Sequence, residues 1–321
     1  MSVSPHIIDI LIPTFNRAEF LRRNINYLIN EIESNKINKQ VRIIISDNCS
    51  DDNTQSTVEQ LVVRHPDINL IYNRNVKNIG LEANMVKLLE LASAPYVLWT
   101  GDDDFLDKGY VKFCIDEIEN NDELGVIVTG ILKEYEDGKK VKIREPGFER
   151  KLLDPGYETI LKYSYLGHQL SGLLFKREGL VENYLHFNEY RNIYPFIFFL
   201  TDRMCQFQTL YIPRFRTTIP VFNRKYWEYN ELGLLDEVFK AYYPFIGKFG
   251  EAKVGSLIIQ FLRQQSAYRL GISYLKPIKL LKQYRTLIKK LEFTSWTTSM
   301  GIFIVLMKEY LLSLKRFGNS S

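Results

Sequence analysis

Short apolar runs rich in β-branched and aromatic residues recur through the first 130 positions, at 7–12 (IIDILI), 41–46 (VRIIIS), 69–73 (NLIYN), 96–100 (YVLWT) and 125–129 (GVIVT). Between them, residues 18–33, 54–64, 81–92 and 108–120 carry apolar positions at helical spacing; Leu81, Met85, Leu88, Leu89 and Ala92 fall on one face. Strands alternating with helices predict βαβ units and a mostly parallel α/β sheet. In such sheets the ligand crevice lies beyond the carboxyl ends of the strands. Four successive runs here end in polar clusters: Pro13-Thr14-Phe15-Asn16-Arg17, Ser46 to Asp52, Asn73-Arg74-Asn75 leading to Asn78 and Gly80, and Gly101-Asp102-Asp103-Asp104. One polar strand end is punctuation, whereas four in succession predict a shared site.

The pattern then loosens. Residues 136–150 are basic and turn-rich, residues 167–175 read as a strand entered through a polar loop, and the chain reads as helical from about residue 226. A length of 321 residues fits a large domain with an appendage. With 42 basic and 38 acidic residues the net charge is only +4, which argues against nucleic acid as a partner. Cys49, Cys114 and Cys205 have no metal-binding spacing, which suits a reducing, cytoplasmic setting. No basic n-region with an apolar h-region opens the sequence, and no apolar run is long enough to span a bilayer.

The carboxylates supply the candidate chemistry. Asp102, Asp103 and Asp104 repel one another, so folding alone does not favour them; divalent Mg²⁺ or Mn²⁺, held with substrate phosphates, is their functional use, and capping of the next helix their structural one. Asp47 could accept hydrogen bonds from a base or ribose, or serve as a turn residue before an N-cap at Ser50 or Asp52. Phe15 could stack on a base, Arg17 could meet a diphosphate, and Asn78, Gly80 and Asn84 precede or open a helix whose N-terminus favours anions.

The ordered series IPTFNR, ISDNCSDDNT, Asn78 to Asn84 and GDDDFL resembles the N-terminal half of family 2 glycosyltransferases of the GT-A fold, of the bacterial polysaccharide or O-antigen type. The resemblance implies a GT-A domain over 1–225, with a nucleotide-binding half (1–130) and an acceptor half (131–225), before a helical C-terminal region (226–321). It implies that Pro13, Thr14, Phe15 and Arg17 hold the nucleotide with Asp47, Asn78, Gly80 and Asn84, and that Asp102 and Asp104 meet the sugar diphosphate. Alignment on the trailing Asp104-Phe105-Leu106 makes Asp103 the first metal ligand, with Asp102 and Asp104 beside it; Gly101 stands where many members carry Asp, and Asn48 departs from the usual second Asp. The implied reaction is inverting, metal-dependent transfer from a nucleotide-sugar donor to a glycan or lipid-linked glycan. Its base is less plain: Glu189 leads, followed by Asp202, His168 and His186. Residues 193–200 (IYPFIFFL) are reminiscent of dideoxyhexose (abequose-type) transferases.

The alternatives are a nucleotidyltransferase, which would be expected to show a Gly-rich basic signature that Pro13 to Arg17 lacks, and a catalytically silent carbohydrate- or membrane-binding module. Residues 269–321 hold ten basic and two acidic residues, a balance of +8. Over 277–291, Leu280, Leu281, Tyr284, Leu287, Ile288 and Leu291 alternate with Lys279, Lys282, Arg285, Lys289 and Lys290. Such a helix can lie on an anionic membrane surface, giving a peripheral location on the inner face, or pack its stripe in a bundle.

Overall fold

The structure, a computed structural model, describes residues 6–144, 147, 149–221, 232–270, 277–293 and 295–318. In chain order these form β1 (Ile8–Thr14), α1 (Ala18–Ser34), β2 (Val41–Asp47), α2 (Thr54–Arg64), β3 (Leu70–Arg74), α3 (Leu81–Leu91), β4 (Tyr96–Trp99), β5 (Phe105–Leu106), α4 (Tyr110–Glu119), β6 (Leu124–Glu134), β7 (Lys140–Arg144), β8 (Lys151–Leu153), α5 (Tyr157–Tyr163), β9 (Leu174–Lys176), α6 (Leu180–His186), α7 (Pro195–Met204), β10 (Gln208–Pro220), α8 (Leu235–Lys240), α9 (Ile246–Phe249), α10 (Glu251–Leu270), α11 (Pro277–Lys289) and α12 (Trp296–Gly318). The described residues divide into two compact units: 6–156, 169–186 and 202–221 in the first, and 157–168, 187–201 and 232–318 in the second.

The first unit is a mixed sheet in the order β3-β2-β1-β4-β9-β6-β10-β5, with β7 on β6 and β8 on β10. Strands β3, β2, β1 and β4 run parallel, pairing Thr14 with Asp47, Asp47 with Arg74, and Leu11 with Trp99. Their carboxyl ends therefore lie along one edge, with the order reversing at β1, where α/β sheets open a crevice. All of β1 and β4 is buried, which is why these strands read as continuous apolar runs. The exception, Asp9, is fully buried and forked by Arg42 at 2.8 and 2.7 Å, and it also accepts the Ser93 and Ala94 amides at 2.7 and 2.9 Å. Helix α1 buries Leu21, Ile25, Leu28, Ile29 and Ile32 at the 3–4 spacing of one face.

Beyond β4 the sheet departs from simple alternation. Strands β9 and β5 are antiparallel to their neighbours, and β10 pairs parallel with β6 across a register shift between Ile212 and Arg216. The expected strand at 167–175 starts only at Leu174, because Ser164–His168 form a 3₁₀ turn and Gly172 takes a φ of +80°. The sequence reading also missed the 13-residue β10, whose Pro213 and arginines interrupt its apolar pattern.

The second unit is helical. Gly255 and Gly301 let α10 and α12 approach: a Cβ on Gly255 would lie 2.0 Å from Thr298 Oγ1, and one on Gly301 would lie 2.3 Å from Ile259. The 277–291 stripe, which could meet lipid or pack in a bundle, is largely packed: Leu280 and Leu287 are buried, and Tyr284 meets Phe303 of α12 edge to face at 5.3 Å. Lys279, Lys282, Arg285, Lys289 and Lys290 are exposed, as is Leu281. Among the described residues no helix is long and apolar enough to cross a membrane.

Candidate active site

The site is built at the carboxyl edge of the four parallel strands. Thr14, the last residue of β1, donates its hydroxyl to Asp102 at 2.8 Å across 88 residues. Arg17 follows one turn later; its Nε stands 3.0 Å from Asp102 and its Nη2 pairs with Asp103. The guanidinium also lies over the Phe20 ring at 4.6 Å. Asp102 and Asp103 thus converge on one cation. Burial pushes the Asp102 carboxyl up to about 7, against the opposing pull of Arg17 and with an added push from Asp103.

Asp104 plays a different part. One of its oxygens accepts the Ser171 hydroxyl, while Ser171 Oγ accepts the Gly101 amide at 2.9 Å. A Cβ on Gly101 would fall 2.7 Å from that Asp104 oxygen, so the space an Asp at 101 would need is taken by the carboxylate of Asp104. The Gly-Asp-Asp-Asp spelling is therefore one packing arrangement. Asn24, from the buried face of α1, donates to the Gly101 and Asp104 carbonyls at 2.8 and 2.6 Å. Behind this loop Arg144 is buried and donates to the carbonyls of Thr129 (2.8 Å), Gln169 (2.9 Å) and Ser171 (2.6 Å) and to the Thr129 hydroxyl (3.0 Å). Burial pulls its guanidinium down to about 9, so it stays charged at neutral pH.

The β2 end is a closed polar scaffold. Asp47 is fully buried and accepts the Ser50 amide (2.9 Å), the Ser50 hydroxyl (2.6 Å) and the Tyr72 hydroxyl (2.6 Å), with Arg74 at 3.9 Å. Direct contact between Asp47 and a ligand would require one of those hydroxyls to give way. The β1 turn is tied to the same loop: Asn16, at φ +54°, donates its amide to Ser50 Oγ at 2.8 Å and accepts the Asp51 amide at 2.8 Å. The N-cap of α2 is Asn53, not Ser50 or Asp52; Asp52 instead accepts the first amides of two helices, those of Thr54 and Ala18, at 3.0 Å each. Phe15 is about one third exposed beside this turn.

Asn48, the departure from the family pattern, organises the next loop by accepting the Ile79 amide at 2.9 Å and donating to Asn78 at 2.8 Å. Asn78 in turn accepts the Gly80 amide at 2.9 Å, and Gly80 turns the chain into α3 at φ +87°. Asn84 is buried: its oxygen accepts Ser46 Oγ (2.7 Å) and Asn75 (2.8 Å), and its amide returns to the Ser46 carbonyl (2.9 Å). It sits within the scaffold under the loop.

The base candidates are dispersed. Asp202 is buried in a fork with Arg203, with Nε at 2.8 Å, and also accepts Asn183 at 3.2 Å. His168 Nδ1 lies 2.9 Å from the Tyr165 carbonyl in the second unit, and Glu189 is exposed in the 3₁₀ turn Asn188–Tyr190 of that unit. His186 is exposed at the end of α6. The sequence reading missed Asn24, Ser171 as the partner of Asp104, and Arg144. Only Asn24 carried a local signal, as an amide inside the apolar stripe of α1.

Among the described residues no group of three His, Cys, Asp or Glu side chains is arranged to hold a metal. Two carboxylates gathered on a guanidinium nevertheless fit a divalent ion that takes its remaining ligands from a diphosphate and water. The profile described as Glycosyl transferase family 2 matches residues 9–182, just over half of the chain, and spans every strand end described above. The chain belongs to glycosyl transferase family 2. It is 34% identical over 102 residues to the abequosyltransferase RfbV of Salmonella typhimurium, covering 32% of this chain and 29% of that protein. Over 184 residues it is 28% identical to the GalNAc(5)-diNAcBac-PP-undecaprenol beta-1,3-glucosyltransferase of Campylobacter jejuni, covering 57% of this chain and 55% of that one. The matches thus span about half or less of these curated relatives. In fold, the chain superposes on S. aureus TarS 1-349 in complex with UDP-GlcNAc with a TM-score of 0.67 at 13% identity, covering 98% of this chain and 92% of that one. The Pyrobaculum calidifontis mannosyltransferase PcManGT, in complex with GDP-Man and Mn²⁺, gives 0.54 at 15%, covering 97% and 90%. The fold is GT-A, followed by a helical C-terminal region.

Proposed function

We propose that this family 2 chain transfers a sugar, with inversion, from a nucleoside-diphosphate donor to a hydroxyl of a glycan or lipid-linked glycan, using Mn²⁺ or Mg²⁺ held by Asp103 and Asp102. The observation that carries the proposal is the convergence of those two carboxylates on Arg17 beside the β1 turn. Support for the donor class comes from neighbours of the same fold bound to UDP-GlcNAc and to GDP-Man with Mn²⁺. Support for a lipid-linked acceptor comes from the Campylobacter relative, whose name carries an undecaprenol diphosphate. The proposed place of action is the cytoplasmic side of the membrane.

A nucleoside diphosphate leaving the anomeric carbon carries negative charge, and a divalent cation, when bound, stabilises it. With the carboxylates engaged by a cation, Arg17 would exchange them for a phosphate oxygen. Phe15 offers a face for the base, and the loop held by Asn48, Asn78 and Gly80 borders the nucleotide. Asp104 acts on the site through Ser171 and Gly101, as a positioning residue. Glu189, the exposed carboxylate among the base candidates, is proposed to take the acceptor proton.

Consumption of UDP-, GDP-, CDP- and dTDP-sugars, measured with Mn²⁺ and with chelator, tests this reading. One donor class should be turned over and activity should vanish with chelator; turnover of none, or turnover indifferent to chelator, would overturn it.

A further inference from the structure

Helix α12 has two faces of opposite fate. Thr298, Ile302, Val305 and Leu306 are buried. On the other side, Trp296, Met300, Ile304, Met307, Leu311 and Leu314 follow one another at spacings of 4, 4, 3, 4 and 3. At about 100° per residue these six fall within about 80° of arc, and the row runs for about 27 Å along the axis. It is not covered: Trp296 is 75% exposed, Ile304 59%, Leu311 53% and Leu314 50%, while Met300 and Met307 are half-buried. Side by side, Phe303, Ile304, Met307, Lys308, Leu311 and Leu312 line a shallow groove of about 430 Å³ on this helix. A continuous exposed apolar row of this length marks a surface that meets something.

We infer that this row, together with the basic side chains around it, lies on an anionic lipid bilayer. The charge selects this occupant. Lys308 borders the row, and α11, packed against α12, holds Lys279, Lys282, Arg285, Lys289 and Lys290 in solvent. Glu292 and Glu309 are the acids of residues 269–321, whose balance is +8. Two copies pairing these rows would bring two +8 segments together, whereas an anionic surface turns the same charge into attraction. Apolar residues on one face with lysine and arginine around them, and a tryptophan at one end, suit a helix lying in the interface plane. No helix among the described residues is long and apolar enough to cross instead. The packed stripe of α11 thus supports α12 and supplies charge, while α12 supplies the apolar contact.

The full chain is floated with vesicles of phosphatidylcholine, alone or mixed with phosphatidylglycerol, at low and high salt. Wild-type protein should float with the anionic vesicles and release as salt rises. Ile304→Asp combined with Leu311→Asp replaces exposed side chains, so the thermal melt should be unchanged while vesicle binding drops by about tenfold or more. Replacing Lys279, Lys282, Lys289 and Lys290 by Gln should abolish binding at moderate salt with the row intact. A wild type that never floats would overturn the inference, as would a double variant that floats undiminished. A dimer seen by light scattering and dissolved by the Ile304→Asp, Leu311→Asp pair, without vesicle binding, would assign the row to a second copy instead.

Discussion

Arg17 and Asp102 carry the tension of the site in single side chains. Arg17 pairs with the two carboxylates that hold the cation in the proposed function, so in that reading guanidinium and metal compete for one place. Arg17→Met should therefore tighten Mn²⁺ binding to the nucleotide-free protein while weakening nucleoside-diphosphate binding. Titration of Mn²⁺ by electron paramagnetic resonance reads the first effect and calorimetry the second; unchanged Mn²⁺ affinity would deny the competition. Asp102 adds a pH dependence. Burial raises its carboxyl to about 7, above the ordinary value of about 3.9, so it contributes stability fully below the ordinary value and loses it as pH rises through 7. Cation uptake runs the other way, since the proton must leave: Mn²⁺ affinity should fall about tenfold per unit below pH 7 and level off above it. A flat profile from pH 5.5 to 8 would contradict this assignment.

At the scale of elements, the loop between β3 and α3 depends on a ladder of asparagines rather than on apolar contacts. Asn84→Ala removes the acceptor of Ser46 and Asn75 inside the fold and should cost about 1–3 kcal/mol in urea unfolding. If Asn84 instead met the nucleotide directly, stability would hold and only the donor KM would rise. This ladder shows where sequence reasoning stops. Asn84 opens a helix at a strand end and reads as a ligand; its burial comes from Ser46 and Asn75, which only folding brings beneath it. Asp47 is similar, being enclosed by Ser50 and Tyr72. Strands β1, β2 and β4 were legible because parallel strands buried on both faces are mostly apolar, and the polar ends of the four parallel strands marked the site edge. Strand β10 was not, since a register shift and Pro213 break its pattern. Ser171 and Arg144 were illegible for a further reason: they reach the aspartate loop from 67 residues beyond Asp104 and from a turn-rich stretch whose polarity looked like solvent exposure.

Across the whole molecule, charge is unevenly spread. The sheet unit carries the carboxylate site, while the helices after residue 268 hold a balance of +8 against −4 for the rest of the chain. In the proposed function the carboxylates of the sheet unit serve a cation, and in the inference above the basic helices meet an anionic surface. Of these, the cation-dependent donor site is the central claim. Calorimetric titration of UDP, GDP, CDP and dTDP into wild type and Asp103→Asn, each with Mn²⁺ and with chelator, tests it most directly. One nucleotide should bind wild type with Mn²⁺ and bind at least about tenfold more weakly with chelator or in Asp103→Asn, with both proteins melting alike. Binding of no nucleotide, or binding equal in all four conditions, would contradict it.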